Sequence, residues 1–64
     1  MWLTVYVSQD AQTAKKLVEL LREASVLSRM RRIGSKGERQ GFEVLVPYPE
    51  VDTAQNIIID NELF

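Results

Sequence analysis

The residues with the most evident binding chemistry form a basic cluster in the middle of the chain. Residues 28–41 read SRMRRIGSKGERQG and hold five cations against one anion, in a chain whose net charge is −1. Guanidinium groups bind phosphate and carboxylate through paired hydrogen bonds. The cluster therefore predicts an anion-binding site for a nucleotide or RNA, made of Arg29, Arg31, Arg32, Lys36 and Arg39.

A second interpretation of the same cluster is open. Charged side chains on an edge strand discourage pairing with other chains, and residues 26–33 alternate too imperfectly for a central strand. A sequence pI near 5.3, and arginines without interleaved aromatic residues, argue against nucleic acid as the partner. Edge protection is the favoured interpretation, and anion binding is the alternative.

Catalytic and metal-binding chemistry has few candidate residues. The chain has no histidine and no cysteine, which are the usual ligands of zinc, haem and iron–sulfur centres. Ser8 and Asp10 precede a predicted helix, where capping is their typical role. The glycines of residues 34–41 lack the GxxxxGK[ST] order of a phosphate loop and favour a hairpin loop. We therefore expect no enzyme, no catalytic residue, no metal and no cofactor.

The hydrophobic pattern predicts three strands and two helices. Aliphatic and β-branched residues predict strands over 2–7, 26–33 and 42–46. Helical spacing predicts amphipathic helices over 11–24 and about 51–62. Pro47 ends the third strand because proline cannot donate to a ladder. The order is β-α-β-β-α in a single domain spanning residues 1–64.

Connection rules predict how these elements assemble. The helix between strands one and two lets them lie parallel in a right-handed crossover, with strand three antiparallel between them. This gives an α+β fold with sheet order 1-3-2 and both helices on one face. It is a ferredoxin-like split βαβ lacking its fourth strand. The first strand is then left with an unpaired edge, and one sheet face is left bare.

The first strand, WLTVYV, supplies the second candidate surface. Tryptophan and tyrosine are enriched at binding hot spots, so Trp2, Thr4 and Tyr6 predict a partner interface, although they could equally cover the rim of the core. A chain of about 60 residues buries only about 60% of its unfolded surface. We therefore expect a homodimer through the first-strand edge or the bare sheet face, or docking on a larger protein. Strict alternation turns the other side chains towards the core: Leu3, Val5 and Val7.

Cellular location is predicted from two absences in the sequence. No apolar run approaches the ~18 residues that a membrane span needs. The segment MWLTVYVSQD lacks the positively charged region of a signal peptide. We expect no membrane segment and a cytoplasmic location.

Two long segments resemble one known family. They are VYVSQDAQTAKKLVELLREASV and EVLVPYPEVDTAQNII, and the glycine-rich turn at 34–41 also matches. They resemble small bacterial proteins described as prokaryotic signal-transducing proteins, which are grouped by fold with the P-II-like proteins. The resemblance implies a P-II-like or ferredoxin-like fold and a regulatory role. It does not imply nucleotide binding, since the long loop and fourth strand of P-II proteins are missing.

The sequence thus predicts a non-enzymatic regulatory or protein-interaction module, with signal transduction implied by the resemblance. The alternative is an anion-binding module that uses residues 29–39.

Overall fold

The computed structural model describes residues 1–34 and 41–64. The element order confirms the predicted βαββα arrangement of an α+β fold. A short 3-10 turn, Tyr48–Glu50, leads into the second helix. The main elements are β1 (Trp2–Ser8), α1 (Ala11–Glu23), β2 (Arg29–Ile33), β3 (Gly41–Pro47) and α2 (Val51–Asp60).

The sheet has the predicted order β1-β3-β2. The central strand β3 pairs antiparallel with both neighbours, so β1 and β2 run parallel to each other. Both helices pack on one face, with α1 contacting all three strands and α2 contacting β1, β3 and α1. Within the described ranges β1 and β2 are therefore the two sheet edges, and the missing fourth strand leaves the outer side of β1 without a partner.

The core lies between the helices and one face of the sheet. Its largest fully buried side chains are Leu17 and Leu21 from α1 and Val44 and Val46 from β3. The two valines are two residues apart on a strand, so they share a face, and the leucines are one helical turn apart. The smaller or marginally exposed members of the core are Ala14, Val26, Ala54 and Ile58.

The start of α1 confirms the capping interpretation for Asp10, which is the N-cap residue. The Oδ1 atom of Asp10 accepts a hydrogen bond from the backbone N–H of Gln12 at 3.1 Å, and Oδ2 accepts one from Thr13 Oγ1 at 3.0 Å. Ser8 Oγ accepts a hydrogen bond from the backbone N–H of Asp10 at 2.9 Å. These two residues therefore satisfy donors at the helix start.

Both helices end in the same hydrogen-bond pattern. After α1, the N–H of Ser25 donates to the carbonyl of Arg22 and the N–H of Val26 donates to that of Leu21. This pair of bonds is a Schellman motif, which needs a left-handed residue, and Ser25 has φ 62°. The prediction that strand two begins at residue 26 is wrong, because Val26 completes the helix cap and β2 begins three residues later.

The end of α2 repeats this pattern. The N–H groups of Glu62 and Leu63 donate to the carbonyls of Ile59 and Ile58. Glu62 takes the left-handed position, with φ 54°. Leu63 then packs against the core, as Val26 does after α1.

A β-bulge corrects the predicted faces of β1. The register of β1 against β3 shifts between Thr4 and Tyr6, so Val5 is an extra residue. Bulges place two residues opposite one, and here Val5 and Tyr6 both pack against the core. Beyond the bulge the predicted alternation is wrong: Tyr6 turns to the helix side, and Val7 is 57% exposed rather than buried.

Candidate interaction surface on the bare sheet face

We call the sheet face turned away from both helices the bare face. Because Val44 and Val46 point into the core, the residues that alternate with them on β3 point the other way. The cross-strand partners of those residues share their face. Two neighbouring rows on the bare face run across all three strands: Thr4–Leu45–Arg29 and Val7–Glu43–Arg31.

A cation–π contact joins the two edge strands across β3. The guanidinium carbon of Arg29 on β2 lies 4.3 Å from the centroid of the Trp2 ring on β1. This is within the ~6 Å at which a guanidinium is attracted to an indole face. The contact brings together one residue from each of the two surfaces that the sequence predicted separately.

A polar cluster occupies the neighbouring row of the bare face. Arg31 donates to Glu43 Oε1 through Nε at 2.8 Å and through an Nη atom at 2.5 Å. Thr4 Oγ1 donates to the other carboxylate oxygen of Glu43 at 3.2 Å. The Glu43 side chain is only 16% exposed, whereas that of Arg31 is 62% exposed. Arg31 therefore neutralises a mostly buried carboxylate, and binding a foreign anion there would compete with this pair.

These groups surround an open depression of about 440 Å³. All three strands contribute to its lining, which includes Trp2, Thr4, Leu45, Arg29 and Arg31. The depression combines apolar surface from Leu45 and the indole with a cationic rim. Two arginines against Glu43 give this face a net charge of +1.

The five predicted anion-binding residues do not assemble into one site within the described residues. Arg29 and Arg31 lie on the bare face. Arg32 alternates to the helix side, where it pairs in register with Phe42, a residue packed against the core. Lys36 and Arg39 lie outside the described residues. Anion binding by this segment stays a prediction, with two of its residues brought together.

The predicted interface trio is divided by the β1 bulge. Trp2 and Thr4 lie on the bare face. Tyr6 does not, since it is part-buried and its hydroxyl donates a hydrogen bond to the backbone carbonyl of Leu63. The sequence interpretation missed Leu45 and Glu43 as members of this surface. Their signal was present, because both alternate with the core valines of FEVLV.

The described residues offer little for metal chemistry or membrane crossing. Across residues 1–34 and 41–64, no three acidic side chains gather closely enough to hold a metal ion. Neither helix in these ranges is long and apolar enough to cross a membrane.

Comparison of the chain with protein-family models, with curated proteins and with solved structures gave no match. The resemblance to small bacterial signal-transducing proteins is thus neither supported nor contradicted by them, and it stays a prediction.

Proposed function

We propose that this protein is a small non-enzymatic protein-interaction module that binds a partner protein on its bare face. The observation that carries the proposal is the Trp2–Arg29 contact at the rim of the depression. Tryptophan and arginine are the residue types most enriched at binding hot spots. Here they lie together on a sheet face that no other element of the described chain covers.

The partner segment that this surface fits carries an acidic group beside an apolar side chain. Leu45 and the Trp2 indole offer apolar contact area within the depression. A guanidinium stacked on an aromatic ring keeps its in-plane N–H donors for a carboxylate. The guanidinium of Arg29 makes no hydrogen bond to the other described residues, so its donors can serve a ligand, whereas those of Arg31 are engaged by Glu43.

A regulatory role in the cytoplasm completes the proposal. The support for regulation and signal transduction is the resemblance described above, and the location is carried over as an expectation from the sequence. A module of this kind would act by binding a segment of its partner rather than by catalysing a reaction.

A titration of the isotopically labelled protein followed by NMR tests the proposal. The probe is a synthetic peptide with one phenylalanine flanked by glutamates, and the matched peptide replaces the glutamates with lysines. We expect saturable amide shifts at Trp2, Thr4 and Leu45 with the acidic peptide. The Kd from these shifts should be at least roughly tenfold lower than the Kd for the basic peptide. Equal shifts with both peptides, or shifts confined to the helices, would contradict the proposal.

Two variants sharpen this titration. Arg29→Ala removes the free guanidinium and should abolish the preference for the acidic peptide. Lys16→Ala removes an exposed cation from α1, on the opposite side of the sheet, and should leave it unchanged. ATP as a third probe distinguishes the protein-interaction module from the alternative, an anion-binding module. Saturable shifts with ATP and none with the acidic peptide would indicate anion binding.

A further inference from the structure

The two edges of the sheet carry opposite kinds of sequence. Three of the five residues of β2 are arginine, which protects that edge against pairing with another strand. The seven residues of β1 include no charged residue and no proline. The only element that pairs with β1 among the described residues is β3, so its outer backbone N–H and C=O groups face away from the sheet. The bulge at Val5 protects this edge in part and leaves a run of three residues on each side, 2–4 and 6–8.

The helix beside this edge is acidic. The helix α2 packs on β1, and four carboxylates lie on it or at its ends, whereas residues 41–64 contain no lysine or arginine. Within the described residues none of the four forms an ion pair, since the ion pairs found there are Glu19–Arg22 and Glu43–Arg31. The four carboxylates belong to Glu50, Asp52, Asp60 and Glu62.

Exposed apolar groups flank the same edge. On the bare side of the sheet, Val7 is 57% exposed. On the helix side, the Tyr6 hydroxyl donates a hydrogen bond to the Leu63 carbonyl, and the next residue in the chain, Phe64, is 89% exposed. An extended segment added to β1 could therefore bury side chains on both faces, as β-strand addition requires.

We infer that the outer edge of β1 binds an extended segment of a partner protein that carries lysine or arginine. The main-chain groups of β1 supply the hydrogen bonds, and the carboxylates of α2 select a basic sequence by charge complementarity. This inference is independent of the bare-face proposal, because it depends on the carboxylates of α2 and its ends rather than on the arginines of β2.

The same charges argue against a second copy as the occupant. Antiparallel pairing of two β1 edges about a two-fold axis would continue the sheet with all helices on one face. The two α2 helices would then lie side by side, each with four carboxylates. Like charges brought within the Debye length of about 8 Å repel at physiological salt, so self-pairing is disfavoured where a basic segment is favoured.

Binding of short peptides tests this inference. The probe is a soluble peptide alternating threonine and lysine, compared with its threonine–glutamate counterpart and with a lysine peptide N-methylated on alternate residues along one edge. We expect slowed hydrogen exchange of outward-facing β1 amides with the unmethylated lysine peptide only. The glutamate peptide should bind at least about tenfold more weakly. Equal binding of the methylated peptide would overturn strand pairing, and equal binding of the glutamate peptide would overturn charge selection.

Variants and sedimentation provide the controls. The double variant Glu50→Gln with Glu62→Gln, at the two ends of α2 that contact the ends of β1, should weaken binding of the lysine peptide several-fold, whereas Glu19→Gln on α1 should not. Sedimentation equilibrium of the protein alone tests for self-pairing. A dimer whose formation slows hydrogen exchange of the outward-facing β1 amides would mean that a second copy occupies this edge and would overturn the inferred partner. Because the bare-face titration uses an acidic peptide and Arg29→Ala, each proposal can fail without the other.

Discussion

The hydroxyl of Tyr6 donates a hydrogen bond to the backbone carbonyl of Leu63, 57 residues away along the chain. The β1 bulge turns this tyrosine to the helix side, and the left-handed residue after α2 directs the chain back towards it. One bond therefore links the first strand to the residue that caps the last helix. It closes the side of the core next to the unpaired β1 edge.

Replacing Tyr6 with phenylalanine should destabilise the protein by about 1 kcal/mol. The ring still packs against the core, while the carbonyl of Leu63 loses its donor, and a typical net hydrogen bond contributes ~0.5–1.5 kcal/mol. Urea unfolding followed by circular dichroism measures the change. The matched control is Tyr48→Phe, since Tyr48 is 65% exposed. Equal stability of Tyr6→Phe and wild type would show that the bond contributes nothing.

Most of the fold could be predicted from the sequence because its signals are local. The helical spacing of Ala14, Leu17 and Leu21 and the run FEVLV identify their elements. The β1 bulge could not be predicted, since WLTVYV contains no glycine to mark it. The start of β2 was misplaced for the same reason: a serine, not a glycine, occupies the left-handed position after α1.

The candidate site could be predicted only in parts. Alternation along β2 places Arg29 and Arg31 on one sheet face and Arg32 on the other. The division of the basic cluster between the two faces could therefore be predicted. The Trp2–Arg29 contact was not, because it depends on the register of two strands that never pair directly. Its residues are 27 positions apart and meet only because β3 lies between their strands.

Glycine at the left-handed positions should stabilise the protein. An L side chain in this conformation costs ~1–2 kcal/mol, part of which is offset by the greater unfolded-state entropy of glycine. We expect Ser25→Gly and Glu62→Gly each to add about 0.5–1 kcal/mol, or a rise in Tm of roughly 2–8 °C for a domain of this size. Thermal unfolding measures both.

The control for these glycines is the residue just before Ser25. Ala24 has φ −90°, which alanine adopts without strain. Ala24→Gly should therefore lower the free energy of unfolding by a few tenths to 1 kcal/mol. A loss of stability in Ser25→Gly as large as in Ala24→Gly would mean that the left-handed conformation stores no strain.

The Arg31–Glu43 pair should contribute more than an ordinary surface ion pair. Its carboxylate is mostly buried and receives a third hydrogen bond from Thr4. A double-mutant cycle with Arg31→Met and Glu43→Gln should give a coupling of about 1–2 kcal/mol. The comparison cycle uses Glu19 and Arg22, which are 3.6 Å apart and exposed, and should give less than about 0.5 kcal/mol.

The two ion pairs should also differ in how their coupling energies depend on salt concentration. Exposed charges are screened within about 10 Å at 0.1 M salt, and partly buried pairs much less. The coupling of Glu19 with Arg22 should vanish at 1 M sodium chloride, while most of the Arg31–Glu43 coupling should persist. Similar coupling in the two cycles would show that burial of the Glu43 carboxylate has no energetic effect.

The contact between Trp2 and Arg29 should be visible in fluorescence, because Trp2 is the single tryptophan of the chain. Removing the guanidinium exposes one indole face to water, so Arg29→Ala should shift the emission to longer wavelength and cost about 0.5–1 kcal/mol of stability. Arg29→Lys keeps the charge but not the planar stack and should give an intermediate shift. Arg32→Ala, on the helix side of β2, should leave the emission unchanged. A red shift from Arg32→Ala as large as that from Arg29→Ala would mean that the emission reports loosening of β2 rather than loss of the stacked guanidinium.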